Sequence, residues 1–507
     1  MTRRIGTVAV LLASLLIVAC GSDSSSKSSA GMGESVARGQ LLSSPPALIG
    51  SYSGSDLLGM LSGSTLGQEL LSLVYTPTCT VNVYHIEYTT VGGKGEATDA
   101  SGALMVPSGS DPSCQGPRPI VLYAHGTSPD RNYNIAAISS NDEGLILAAV
   151  FAAKGYVVVA PNYAGYDTSP LTYHPYLVAD QQADDMIDGL SAARSALPVS
   201  AAMTVTDNHK LFITGYSQGG YVAMATHRAM QAAGATVTAS GPMSGPYALA
   251  AFADAVFLGD VNLSAVENFV LLVNSYQPVY GNVYSAPSDL FAPNYAPGIE
   301  SLLPSTMTIS SLYAEGKLPQ NAIFSSTPPA PQYASITPST TPANLAPAFA
   351  MGFGTDYLVT NPYRLAYIED AQAQPDGGFP TTTTDVPAAS PGIGLRQDFK
   401  ANDLRNWSPS SPVILCAGSG DPSVFYLNTQ LMQGYWAAHA PSVAPVILDI
   451  DSPVASGDPY ATLKQAFAAV KAAATLTQGS ATVLQGYHAT LVPPFCLSAV
   501  KSFFDGY

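Results

Sequence analysis

Ser217 stands in the run Gly215-Tyr216-Ser217-Gln218-Gly219-Gly220, between the apolar, partly β-branched stretch Leu211-Phe212-Ile213-Thr214 and a stretch with helical spacing, Tyr221 to Ala233. A serine on so sharp a strand-to-helix turn is held in a strained backbone with its hydroxyl exposed. Only glycine fits two residues before and two after it. The N-terminus of the new helix then lies beside the hydroxyl, where it favours developing negative charge. With Gly 44 in 507 residues, composition alone yields roughly 0.4 such pentapeptides in the chain. The motif therefore draws its weight from the strand before it and the helix after it, and that setting suits a nucleophile.

A serine hydroxyl reacts poorly at neutral pH unless a histidine takes its proton and a carboxylate orients that histidine. After a turn of this kind the acid comes first in the chain and the histidine last. Of the seven histidines, only His439 and His488 lie far enough downstream. His439 falls inside a helical pattern, Tyr435 to His439, which suits packing or surface. His488 sits in the loop-like Gly486-Tyr487-His488-Ala489-Thr490, before a last helix expected over Cys496 to Phe504. The acid should follow a buried strand between Ser217 and His488. Ser411 to Ala417 reads as that strand, and Gly418-Ser419-Gly420-Asp421 places Asp421 at the C-terminal edge of a sheet. The plain alternative is a turn aspartate. Asp449, Asp451 and Asp458 follow another apolar run, Val443 to Leu448, and come one strand late. Two N–H donors must also meet the oxyanion. One is the Gln218 backbone. The other is Thr127, after the strand Arg118 to Ala124, with His125 as a brace for that loop rather than a base. No metal or organic cofactor is implied.

The elements that must position these residues alternate in type. Val81 to Pro107 reads as a hairpin turning at Gly92-Gly93, with Val81 and Val83 on one face and Tyr84, Ile86 and Tyr88 on the other. A helical pattern over Asp56 to Tyr75 precedes it. Strand 118–124, helix 142–154, strand 156–160, helix 178–197 and strand 210–215 lead to Ser217, and strand 235–241 follows. This β–α alternation argues for an α/β fold with a mostly parallel central sheet and helices on both faces. The alternation then stops. Residues 246–400 hold apolar helical stretches and Pro/Thr/Ser-rich loops, an insertion placed to cap the site or to form an accessory subdomain. Their aromatics, Tyr276, Tyr280, Tyr284, Tyr295, Tyr313 and Phe353, either line an acyl or aryl pocket or simply pack.

These motifs resemble the α/β-hydrolase superfamily, and within it the secretory lipases typified by the yeast lipase A and their bacterial esterase relatives. The resemblance rests on Tyr123-Ala124-His125-Gly126-Thr127, Gly155 to Tyr163, Gly215 to Gly220, Cys416 to Asp421 with Asn428-Thr429, and His488. Asn162 departs from it, standing where an aspartate is expected in the Pro-x-Tyr turn. The resemblance implies a carboxylic-ester hydrolase with a large cap and leaves the ester open, whether small molecule, lipid or polymer. The expected core is residues 46–245 and 401–507. A peptidase of the same superfamily is one alternative. A lipoprotein binding module that lost its chemistry is another.

Arg3 and Arg4 precede an apolar run, Ile5 to Ala19, followed by Cys20 and a Ser/Gly-rich stretch. This reads as a secretory signal over residues 1–19, too short to span a membrane. Ile17-Val18-Ala19-Cys20 resembles a bacterial lipobox, with Cys20 lipidated and residues 20–45 serving as a tether. The expectation is an exported lipoprotein, held at the outer membrane or cell surface by its anchor alone. Cys79, Cys114, Cys416 and Cys496 remain, an even number for an exported chain. Three pairings are open, with 79–114 and 416–496 favoured. Net charge is −16, which disfavours nucleic acid as a partner.

Overall fold

The computed structural model describes residues 37–63, 65–73, 76–199, 204–376, 386–442 and 444–507. Cys20, the signal and all of the tether before residue 37 lie outside the described residues. Nine strands form one sheet in the order β1-β2-β3-β5-β4-β6-β7-β10-β11. They are β1 (Ala47–Tyr52), β2 (Thr80–Val91), β3 (Ala97–Ser108), β4 (Pro117–Ala124), β5 (Val157–Pro161), β6 (Thr206–Tyr216), β7 (Ala239–Met243), β10 (Ile414–Ala417) and β11 (Val446–Asp449). From β5 to β11 every neighbouring pair is parallel; β1, β2 and β3 join the edge antiparallel. Two further short strands, β8 (Phe324–Ser325) and β9 (Phe353–Gly354), pair with each other.

The alternation read in β2 separates two cores. Tyr84, Ile86 and Tyr88 pack with residues of the helices Ala179–Ala196 and Gln218–Ala232. Val81 and Val83 pack on the opposite face with those of Asp142–Val150 and Val492–Phe504. Both sheet faces are thus covered, which is why β4 to β7 read as continuous apolar runs. Cys79 bonds Cys114 and Cys416 bonds Cys496, the latter tying β10 to the last helix.

Four expectations shift. The helical pattern over Asp56 to Tyr75 divides into Gly54–Leu61 and Thr65–Ser72, because Ser62-Gly63 ends the first helix. Its start is set by Ser53, whose side chain and the Asp56 carboxylate cap each other's backbone. The edge strand β1 precedes it, unforeseen in a run whose outward side chains are exposed. Strand 235–241 lies later, at Ala239–Met243, and the last helix begins earlier, at Val492. Pro493 and Pro494 occupy its first turn, where N–H groups have no intrahelical partner to lose. Between β7 and β10 the chain forms mainly helices, among them Leu249–Phe257 and Ala265–Tyr280. No helix of the described residues is long and apolar enough to cross a membrane.

Candidate active site

Strand β6 runs directly into the helix Gln218–Ala232, and Ser217 at the junction has φ 59° and ψ −122°. The turn is this tight because its glycines carry no side chain. A Cβ at Gly219 would lie 1.9 Å from the Ala124 carbonyl oxygen, and one at Gly215 would lie 2.3 Å from that of Gly219. Ser217 Oγ is 2.8 Å from His488 Nε2, and His488 Nδ1 is 2.6 Å from Asp421 Oδ2. Asp421 is fully buried, and its other oxygen accepts the N–H groups of Ser423 (2.8 Å) and Val424 (3.0 Å). With Nδ1–H donating to the carboxylate, Nε2 is left to accept from the serine hydroxyl. The structure thus brings Ser217, Asp421 and His488 into one hydrogen-bonded chain.

His488 lies on a π-helical turn, Tyr487–Leu491, wedged between the helices Ser480–Gly486 and Val492–Phe504, and not on a loop. The Tyr216 hydroxyl pins that turn by donating to the His488 carbonyl at 2.7 Å. His439 ends the helix Leu427–His439 beside Tyr435, on the surface. Asp449 and Asp451 lie beyond the acid's turn: Asp449 accepts the Ser419 N–H at 3.0 Å and Asp451 accepts the Tyr487 hydroxyl at 2.7 Å.

Gln218 opens its helix, so its backbone N–H has no intrahelical acceptor, and among the described residues neither it nor the Thr127 N–H finds a partner. Both residues line the space at Ser217. The segment Tyr163 to Tyr176 holds them. Tyr163 donates to the His125 carbonyl (3.0 Å), Tyr166 to that of Ser128 (2.5 Å), and the Tyr176 hydroxyl meets Thr127 Oγ1 at 2.9 Å. His174 Nδ1 donates to the Ala164 carbonyl at 3.0 Å, so its Nε2 accepts the Gln218 side-chain N–H at 2.8 Å. Burial holds His174 down at about 3, which keeps it in that neutral form. His125 is buried and stacked between Tyr133 and Tyr163, with its Nε2 on the Asn162 carbonyl at 3.0 Å; burial holds it down at about 4. Asn162 braces as well, accepting the Ile135 N–H (2.8 Å) and donating to Ser101 Oγ (2.9 Å).

Glu143 was not singled out in the sequence. It accepts the hydroxyls of Tyr123 (2.8 Å) and Tyr133 (3.1 Å) and the N–H of Gly126 (3.1 Å), next to Thr127. Burial pushes its carboxyl above the usual range. Nothing in the sequence distinguishes it from an ordinary acid in a helix's first turn.

Two cavities meet at Ser217. The outer one, about 760 Å³, is lined by Ser217, His488, Asp142, Glu143, Glu267 and Asn321 among others. The inner one, about 90 Å³, is lined mainly by apolar side chains of the helices Leu249–Phe257 and Ala265–Tyr280. Residues 246–400 thus reach both. The aromatics there that face the inner cavity are Phe252, Phe257, Phe269 and Phe399; the six named from sequence line neither cavity.

The prolyl oligopeptidase family matches residues 146–244, which hold the Ser217 turn. The rice cell wall degrading esterase LipA from Xanthomonas oryzae, in a ligand-bound form, is 25% identical with a TM-score of 0.64, covering 90% of this chain and 99% of that one. A protein named as a hydrolase from Legionella pneumophila is 19% identical with a TM-score of 0.62, covering 92% and 98%. No curated protein matches the chain. The fold and these likenesses place the chain in the α/β-hydrolase superfamily, as a hydrolase.

Proposed function

We propose that the protein is a serine carboxylic-ester hydrolase working through an acyl-enzyme, with Ser217 as nucleophile, His488 as acid and base, and Asp421 as its orienter. The observation that carries this is the hydrogen-bonded chain Ser217–His488–Asp421, facing a cavity beside two free backbone N–H groups. Ser217 Oγ bonds to the ester carbon while its proton passes to His488 Nε2. The carbonyl oxygen becomes an oxyanion facing the N–H groups of Gln218 and Thr127. As it collapses, the C–O bond to the alcohol breaks and His488 returns the proton to the leaving oxygen. Water repeats the sequence on the acyl-enzyme: its oxygen bonds to the carbon, His488 takes its proton and gives it to Ser217, and the acid leaves. A solved structure with a TM-score of 0.64 to this chain is named as an esterase, which supports the ester over the amide.

The match to the prolyl oligopeptidase family favours a second reading, a peptidase. Hydrolysis of p-nitrophenyl butanoate beside aminoacyl p-nitroanilides separates them. The ester reading expects turnover of the former, its loss in Ser217→Ala, and little action on the latter; the reverse ranking makes the protein a peptidase.

We read residues 246–400 as a cap, because they reach both cavities. Cys20 we read as a lipid-modified anchor of an exported protein; the two disulfides support the export and do not bear on the anchor. Cys20→Ala should move the protein from membrane to soluble fractions at unchanged specific activity, and continued membrane retention counts against the anchor.

A further inference from the structure

Thr127, Ser217, Asn268, Ser423 and Val424 line both cavities, so the junction lies at the nucleophile. The remaining machinery is divided. Gln218 lines the inner cavity alone, and His488 lines the outer one alone. That division orients a tetrahedral intermediate on the ester-hydrolase reading. Its leaving oxygen must point at the group that protonates it, His488, and therefore toward the outer cavity. Its oxyanion must point at Gln218 and Thr127. The fourth substituent, the acyl chain, is left with the inner cavity.

Two of the inner walls are one face each of two helices. Leu249, Phe252, Ala253, Val256 and Phe257 repeat at helical spacing on the first, and Ala265, Asn268, Phe269 and Leu272 on the second. These walls offer apolar contact and no charge. A void of ~150 Å³ takes up a six-carbon benzene ring, so a chamber of about 90 Å³ accommodates an acyl group of about four carbons. The outer cavity differs in size and in charge. Asp142 and Glu267 line it, and no lysine or arginine does among the described residues. Such a wall repels anions and tolerates or attracts cations.

We propose that the substrate is a short-acyl ester of a larger, neutral or cationic alcohol, its acyl group seated in the inner chamber and its alcohol in the acidic outer one. A peptide fits poorly on this geometry, since its acyl side is a chain of residues longer than the chamber.

The test crosses two series: p-nitrophenyl esters from acetyl to decanoyl, and butanoyl esters of choline, glycerol and glycolate. The wild-type enzyme should peak near butanoyl, fall at least tenfold by octanoyl, and prefer choline and glycerol to glycolate. Ala253→Leu should lower the butanoyl-to-acetyl ratio of kcat/KM at least tenfold, and Phe269→Ala should move the peak to longer chains. Neither should change the choline-to-glycolate ratio. Glu267→Gln should lower that ratio severalfold without moving the acyl peak. A wild-type peak at octanoyl or beyond overturns the proposal, as does an inner-wall variant that moves the alcohol ratio. The wild-type series needs no variant to fold. Absence of all ester turnover would instead sink the ester reading, which Ser217→Ala tests separately.

Discussion

The Gly420 N–H donates to the Tyr487 hydroxyl at 3.2 Å, so the residue before the histidine holds the turn that carries the aspartate. That hydroxyl donates onward to Asp451 Oδ2 at 2.7 Å, where Lys471 Nζ also lies at 2.6 Å. Burial and the Asp451 charge push the Tyr487 hydroxyl far above its usual range, so it remains a donor. A Cβ at Gly418 would meet the same oxygen at 2.4 Å, which is why this turn is bare of side chains there. Tyr487 and His488 thus grip the turn from two points of one helical stretch.

Tyr487→Phe removes both hydrogen bonds while keeping the ring. Each is worth about 1 kcal/mol, and their loss acts on the placing of Asp421. The expected result is a kcat lower by about tenfold with KM for a short ester little changed. Asp451→Asn should cost less, since an amide oxygen still accepts from Tyr487. Steady-state kinetics on both variants decide it. An unchanged kcat in Tyr487→Phe would show that the turn holds Asp421 without this contact.

Ser217→Ala and His488→Ala should each lower ester turnover by several orders of magnitude, about as much singly as together, because the pair acts as a unit. Asp421→Asn keeps the shape and loses the charge that stabilises the imidazolium, costing up to about 10⁴-fold in kcat. Ala retains the Cβ that Ser217 carries at φ 59°, so the thermal midpoint of Ser217→Ala should stay near wild type. Purified Ser217→Ala with near wild-type turnover would remove the mechanism altogether.

Much of this site is legible in the sequence because its parts are local. The Ser217 turn announces itself by glycines two residues away on either side. Asp421 follows directly on an apolar strand. The alternation of β2 named its two faces correctly, since period two is an intrinsic property of a strand. What stayed hidden depends on contacts between distant residues. Glu143 and Gly126 are 17 residues apart and His174 and Gln218 are 44 apart, and no local pattern links them. The inner aromatics likewise cannot be told from packing ones, because helical spacing shows a face and not what it faces. The stretch Gly486-Tyr487-His488-Ala489-Thr490 reads as a loop in the sequence. Contacts with the helices Thr65–Ser72 and Ala461–Gln478 instead hold the stretch helical, with one widened turn.

Glu143 gives stability a pH dependence of definite sign. Its folded carboxyl is raised above the ordinary 4.5 by burial, so folding favours the protonated form. That contribution is fully present below the unfolded value and is lost as pH rises through the raised folded one. Glu143→Gln carries no such titration. The melting temperature of the wild type minus that of the variant should therefore fall as pH rises from about 4, then level off. A difference that grows with pH would mean that its three donors, Tyr123, Tyr133 and Gly126, outweigh the burial.

The bond between Cys416 and Cys496 closes a loop of 80 residues, and loop-closure entropy assigns such a link about 4.5 kcal/mol of stability. Cys416 lies in β10, just before the Asp421 turn, and Cys496 lies in the helix that follows His488. The link therefore joins the two elements that carry acid and base. Each is also held independently: β10 pairs with β7 and β11, and the helix packs on the sheet through Phe495, Val500 and Phe504. Removing the bond should consequently spare the folded geometry and weaken its persistence. The double variant Cys416→Ala/Cys496→Ala is expected to unfold at lower urea, with a stability loss near the loop-closure figure, and to lose activity faster on heating. Its kcat at 25 °C should stay within about twofold of wild type, a ratio worth about 0.4 kcal/mol. Urea unfolding followed by fluorescence, with kcat measured on the same preparation, tests both halves. A large fall in kcat at unchanged stability would mean that the bond positions the catalytic pair directly, and that packing alone does not.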